Sequence, residues 1–181
     1  MAIKPTIYKF RISLSDLNRN YYDTLNLTLA QHPSETLERM MARVLAFCIN
    51  AQEDLVFTKG LSDIDEPDIW VRTLDEQTSL WVEVGEPSFD RVKKATRLAN
   101  KVSIYSFNSK SDVWWKQLEN KAQQLNVSVF KFDWEAIKEL TTFVQRTMDI
   151  SVSITGDSAY VATEAGESEV NWILLQGAAY E

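Results

Sequence analysis

Leu80-Trp81-Val82-Glu83-Val84-Gly85 is a short apolar run broken by one glutamate and closed by Gly85 and Pro87. Its length, its valines and its boundaries mark a buried strand rather than a helix. Beyond Pro87, Ser88 is placed to cap a helix over 88–100, and Val102-Ser103-Ile104-Tyr105-Ser106-Phe107 reads as the next strand. A strand, a helix and a strand joined by such short turns form a crossover unit with parallel strands. The pattern repeats with a helix over 112–125 and a strand over 127–132. The middle of the chain is therefore α/β with a mostly parallel sheet.

The flanks read differently. Tyr8, Phe10, Ile12 and Leu14 alternate with polar residues, as do Leu25, Leu27 and Leu29, which predicts an N-terminal hairpin with one wet face. A helix is expected over 33–50, opened by Pro33 or Ser34, with Leu37, Met40, Met41, Val44, Leu45 and Cys48 as its apolar stripe. A short strand after Phe57, a loop through Asp63-Ile64-Asp65-Glu66 and a strand near 68–73 follow. A helix over 133–146 would bury Ile137, Leu140, Val144 and Met148. The chain closes in a meander over 150–154, 160–163 and 170–175, with turns at Gly156-Asp157 and Gly166-Glu167. Hairpin and meander are expected to pair as an antiparallel layer, because a lone hairpin is barely stable. No repeat or linker interrupts the 181 residues, so one domain over 1–181 is expected.

Composition narrows the function classes. With 45% hydrophobic and 25% charged residues this is an ordinary globular chain, and no apolar run is long enough to span a membrane. The start, Met1-Ala2-Ile3-Lys4-Pro5, has no signal-type hydrophobic region. One cysteine excludes an internal disulfide framework and fits a reducing, cytoplasmic setting. A net charge of −7 opposes nonspecific binding of nucleic acid unless a local basic patch overcomes it. Charge is not evenly spread along the chain. Eight acids against one base lie between Gly60 and Phe89, then six bases and no acid between Arg91 and Lys110. An acidic lobe beside a basic one suits a cation and a phosphate backbone together; two solvated faces explain it equally well.

The chemistry converges on few side chains. Glu83 in a covered strand needs a cation or several donors, so it is a metal ligand, half of a buried ion pair with Arg91, Lys93 or Lys94, or else an outward-facing residue on an edge strand. Asp68, after Pro67, enters a strand that can bring its carboxylate to Glu83; alternatively Glu66-Pro67-Asp68 is a polar turn. Arg91, Lys93 and Lys94 lie in the first turns of their helix, where cations oppose the macrodipole by roughly 0.3–1 kcal/mol each. Cys48 reads as a core thiol. His32 beside Pro33 reads as a cap or surface group, and Trp114-Trp115 as packing rather than base stacking. One Cys and one His exclude the usual zinc sites. No phosphate-binding glycine motif occurs.

The chain resembles the YaeQ family, a small bacterial family of restriction-endonuclease-like fold within the PD-(D/E)XK superfamily. The resemblance rests on Lys4-Pro5-Thr6-Ile7-Tyr8-Lys9, Ala30-Gln31-His32-Pro33-Ser34-Glu35-Thr36, Glu38-Arg39-Met40-Met41, Phe57-Thr58-Lys59-Gly60-Leu61 and Asp65-Glu66-Pro67. It continues through Leu80–Gly85, Val92-Lys93-Lys94-Ala95, Tyr105-Ser106-Phe107-Asn108-Ser109 and Trp114-Trp115, and so spans nearly the whole chain. It implies a core ordered helix, three strands, helix, strand, the order read above from Pro33 to Phe107, to which the two flanks add the antiparallel β layer. It also implies that Asp68 and Glu83 hold Mg²⁺, with Glu38 as a further acid. The superfamily lysine stands two residues after the second acid; here that position is Gly85, so the role falls to Lys93 or Lys94 on the following helix.

Two readings stand. In the first, the chain is a Mg²⁺-dependent nuclease, with Lys93, Lys94 and Glu38 as catalytic groups, Asp68 and Glu83 as metal ligands, and Arg91 and Arg97 on the nucleic acid. In the second, it is a non-catalytic member of the fold that binds nucleic acid or a protein partner, for instance in transcription. Beside these two stands a third, a purely protein-binding module using the antiparallel β layer.

Overall fold

The alternation of Tyr8, Phe10, Ile12 and Leu14 becomes β1 (Thr6–Asp16), which pairs antiparallel with β2 (Tyr21–Gln31) from Thr6↔Gln31 to Asp16↔Tyr21. The structure, a computed structural model, describes residues 4–58 and 65–177. It divides into two compact units, one made of the chain up to Ile49 with Asp133–Trp172, the other of Asn50–Phe132 with the chain from Ile173 onward.

In the first unit, buried Asp16 fastens the hairpin turn, accepting from Asn18 N–H at 3.1 Å and Arg19 Nε–H at 2.7 Å. β1 also pairs with β8 (Thr147–Thr155), from Lys9↔Thr147 to Asp16↔Ile154. The two ends of the chain thus do pair, but that pair is parallel, which corrects the expectation of a wholly antiparallel layer. The chain re-enters beside the start of β1, where Lys9 N–H donates to the Arg146 carbonyl at 2.8 Å, so β8 must run the same way. β9 (Ser158–Thr163) and β10 (Glu167–Gln176) complete the meander in antiparallel register. Gly156, at φ +59°, supplies the left-handed residue of the two-residue β8–β9 turn. The Asn18 side chain clamps it, giving one hydrogen bond to the Gly156 carbonyl and accepting one from its N–H, both at 2.9 Å.

Helix α1 (Leu37–Ile49) starts later than expected. Residues 32–35 form a turn closed by Glu35 N–H to the His32 carbonyl (2.8 Å), and Thr36 rather than Ser34 caps the helix through Arg39 N–H (3.2 Å). Residues 40–48 are buried all round rather than along a stripe. Ala42 and Ala46 permit this by their size, and Arg43 by its charge partner Glu35, whose carboxylate takes the Arg43 guanidinium at 2.7 and 2.9 Å and Arg39 at 2.6 Å. Helix α4 (Trp134–Thr141) ends five residues before the expected position. The hydroxyls of Thr141 and Thr142 bond back to the Lys138 and Glu139 carbonyls, both at 2.6 Å, a habit that competes with helix continuation. Val144 therefore lies beyond the helix and Met148 in β8, both half-buried.

In the second unit β3 (Leu55–Phe57), β4 (Ile69–Arg72) and β5 (Thr78–Val84) are mutually antiparallel. Helix α2 (Phe89–Leu98) then carries the chain to β6 (Ala99–Ser106), and α3 (Ser111–Ala122) to β7 (Ser128–Phe132), giving parallel pairs β5–β6 and β6–β7. The expected crossovers are present, but the sheet is half antiparallel rather than mostly parallel. Ser88 caps α2 as expected, accepting from Arg91 N–H at 3.3 Å. The helices bury Val92, Ala95 and Leu118 against Trp81, Val102 and Ile104. Trp114 and Trp115 are both half-buried against this core, and the Trp114 indole N–H donates to the Pro87 carbonyl at 2.8 Å. Part of the expected acidic loop, Asp63 and Ile64, lies outside the described residues. Among the described residues no helix is long and apolar enough to cross a membrane.

Candidate functional site

Two residues apart on β5, Trp81 and Glu83 share the face covered by α2. The Trp81 indole N–H donates to Glu83 Oε1 at 3.0 Å. The Arg91 guanidinium reaches the same oxygen from α2, at 2.9 Å through Nε and 2.8 Å through a terminal nitrogen. That terminal nitrogen also donates to the Glu66 carbonyl at 2.8 Å. All three of these bonds to Glu83 end on Oε1. The ion-pair alternative for Glu83 is thus realised, with Arg91 as the partner.

Asp68 lies one residue outside β4, where the register Trp70↔Trp81 and Ile69↔Val82 carries it to the Glu83 end of β5. Its own N–H donates to the Val82 carbonyl at 3.1 Å, and its Oδ2 accepts from Val84 N–H at 2.7 Å. Asp68 is 9% exposed and Glu83 6%, so both acids are withdrawn from water. Burial pushes the Glu83 carboxyl above its usual range; the bond from Arg91 pulls it back and the negative charge of Asp68 raises it again. Close by in sequence, Glu66 Oε2 is buried with no hydrogen-bond partner.

The remaining candidates are spread out. Lys94 pairs with Asp65 at 2.5 Å. Lys93 and Arg97 are exposed on α2. Glu38 is half-buried on α1, in the first unit, while Asp68, Glu83, Arg91, Lys93, Lys94 and Arg97 all belong to the second. Gly85 has φ +123° and donates to the Tyr105 carbonyl at 2.8 Å, so a lysine there would be strained whatever the space around it. Among the described residues no group of three or more His, Cys, Asp or Glu side chains is arranged to hold a metal. His32 bonds Ser34 across an exposed turn, Nδ1 to Oγ at 2.6 Å. Cys48 is buried, and burial first and then Asp16 push its thiol up to about 12.

Sequence reasoning missed Trp81 as a donor, although its two-residue spacing from Glu83 in a strand was signal enough. It also missed Glu66, which enters through a backbone carbonyl that leaves no mark on the sequence.

The fold and this cluster define a mixed α/β protein in which a buried carboxylate on one strand, near a second just ahead of the neighbouring strand, pairs with an arginine from the helix of a crossover unit. The model of the YaeQ protein family matches residues 1–172, and the chain belongs to that family. It is 40% identical over 173 residues to YaeQ of Escherichia coli (strain K12), covering 94% of this chain and 96% of the relative. The crystal structure of the YaeQ protein from Xanthomonas axonopodis pv. citri superposes with a TM-score of 0.93 at 34% identity, covering 96% of this chain and 99% of the other. That of the YaeQ protein from Pseudomonas syringae gives 0.91 at 34% identity, covering 96% and 97%.

Proposed function

We propose that the chain is a restriction-endonuclease-like member of the PD-(D/E)XK superfamily that acts in the cytoplasm as a Mg²⁺-dependent nuclease. The observation that carries this reading is the convergence of Asp68 and Glu83, both buried, at one end of two neighbouring strands. The element order α1, β3, β4, β5, α2, β6 supports it, being the order the resemblance implies.

The donor set fits the ion. Mg²⁺ takes oxygen ligands and needs only one or two protein carboxylates, with water and substrate phosphate completing its octahedron. Asp68 and Glu83 would hold it, both being buried carboxylates at the same end of the strand pair. Bound there, it would polarise the phosphodiester and acidify an attacking water. Arg91 holds Glu83 in place and is positioned to pass to the phosphate. Lys93, exposed on α2, and Lys94, now paired with Asp65, supply the ammonium that the strained Gly85 position excludes. Arg97 extends the basic edge, and Glu38 enters this reading through the resemblance alone.

Cleavage of DNA and RNA with Mg²⁺ or Mn²⁺, wild type beside Glu83→Gln and Asp68→Asn, tests it. Hydrolysis should need the metal and fall by about a hundredfold or more in either variant, the scale that several kcal/mol of charge stabilisation implies. Hydrolysis that survives Glu83→Gln removes the assignment.

One observation favours the second reading, of a non-catalytic member that binds nucleic acid or a protein partner, for example in transcription. Arg91 already neutralises Glu83. In that case nucleic acid is retarded at low salt, without divalent ions and without hydrolysis, and substitution of Arg91, Lys93 and Lys94 abolishes retardation.

A further inference from the structure

Between β4, β5 and the end of α2 the second unit holds an open cleft of about 690 Å³. Trp70, Arg72, Thr78, Trp81, Arg97 and Asn100 line it. Trp81 joins it to the acidic pair, since the residue that lines the cleft also donates its indole N–H to Glu83. Trp70 is half-buried, two residues along from Asp68 and opposite Trp81. The Arg72 guanidinium stands 4.8 Å from the Trp70 ring centroid and is held by a bond to the Glu76 carbonyl. Of the charged side chains on the wall, Lys94 and Asp65 cancel each other, leaving Arg72 and Arg97 against Glu76. A cleft with an indole, a guanidinium stacked on it and a second exposed guanidinium at the rim is equipped for a flat aromatic ring carrying a negative charge. The cleavage chemistry above uses neither Trp70 nor Arg72.

We propose that this cleft is a base-stacking subsite for single-stranded nucleic acid. An unpaired base lies against the Trp70–Arg72 pair, and Arg97 binds the adjoining phosphate. The inference rests on the nucleic-acid reading of the acidic site and gives its substrate class: the faces of duplex bases are hidden in their own stack, so only an unpaired base reaches the indole.

Fluorescence anisotropy of an end-labelled short oligothymidylate and of a duplex of equal length, at low salt and without divalent metal, tests it. Wild type should bind the single strand more tightly than the duplex. Trp70→Leu should weaken single-strand binding by about tenfold or more with an unchanged salt slope, and Trp70→Phe should restore most of it. Arg97→Gln should lower the salt slope by about one. Should Trp70→Leu fail to fold, Arg72→Gln replaces it, with weakened single-strand binding expected. Single-strand binding by Trp70→Leu equal to wild type, or duplex binding as tight as single-strand, overturns the subsite and leaves the nuclease reading standing. Wild-type binding to neither overturns the subsite and the nucleic-acid reading together.

Discussion

The Glu83 carboxyl is held above its usual range, because burial outweighs the guanidinium beside it and Asp68 adds repulsion. An acid whose folded pKa exceeds its unfolded value contributes stability that is full at low pH and is lost as pH rises through the folded value. Glu83→Gln removes that dependence. Measured across pH, the thermal midpoint of the variant should gain on wild type as pH climbs above the ordinary value of 4.5. Two parallel curves would refute the raised pKa. Glu35 presents the opposite case, a buried carboxylate holding two arginines. Glu35→Ala leaves the buried Arg43 guanidinium without its carboxylate, at an expected cost of about 3–5 kcal/mol. Chemical denaturation, read at constant slope, measures it.

At the level of elements, α2 governs the site because it delivers Arg91 to Glu83 and the cations beyond it. Its cap is one hydroxyl, Ser88. Ser88→Ala should cost about 1 kcal/mol of unfolding free energy. If the cap also fixes the helix entry, the Arg91 contact should loosen with it, visible as a Glu83 carboxyl signal displaced in NMR titration. The start of this element was legible in the sequence, since Ser88 directly after Pro87 marks a helix cap. The start of α1 was not, because Pro33 and Ser34 imitate a helix opening that the His32–Glu35 turn pre-empts. Nor was the end of α4. Hydroxyls that bond back to their own helix leave the apolar spacing intact while breaking the backbone that should carry it.

Across the molecule, residue types were read more easily than partnerships. The pairing of the two chain ends was inferred from hairpin instability, but its parallel sense depends on where the chain re-enters, which no local pattern encodes. Similarly, the charge asymmetry around Phe89 was plain, whereas the choice of Arg91 over Lys93 or Lys94 as the partner of Glu83 required coordinates. Cys48 reports on the global fold. Buried, with its thiol pushed up to about 12, it should resist neutral thiol reagents and react only as fast as the fold opens. Labelling at a rate independent of added denaturant would contradict that. Cutting the chain after Phe132 removes β8 from β1 and should erase amide protection across residues 6–31, which hydrogen exchange can follow.

The first unit is assembled from two stretches far apart in sequence, the chain up to Ile49 and Asp133–Trp172. During synthesis the opening hairpin therefore leaves the ribosome long before its parallel neighbour β8 has been translated. The wait exceeds a hundred residues, or on the order of ten seconds at bacterial elongation rates. Through that interval β1, whose Phe10, Ile12 and Leu14 are buried in the finished unit, lacks its parallel neighbour. Holding chaperones have a defined target there, and slow codons placed after residue 132 would lengthen the exposure.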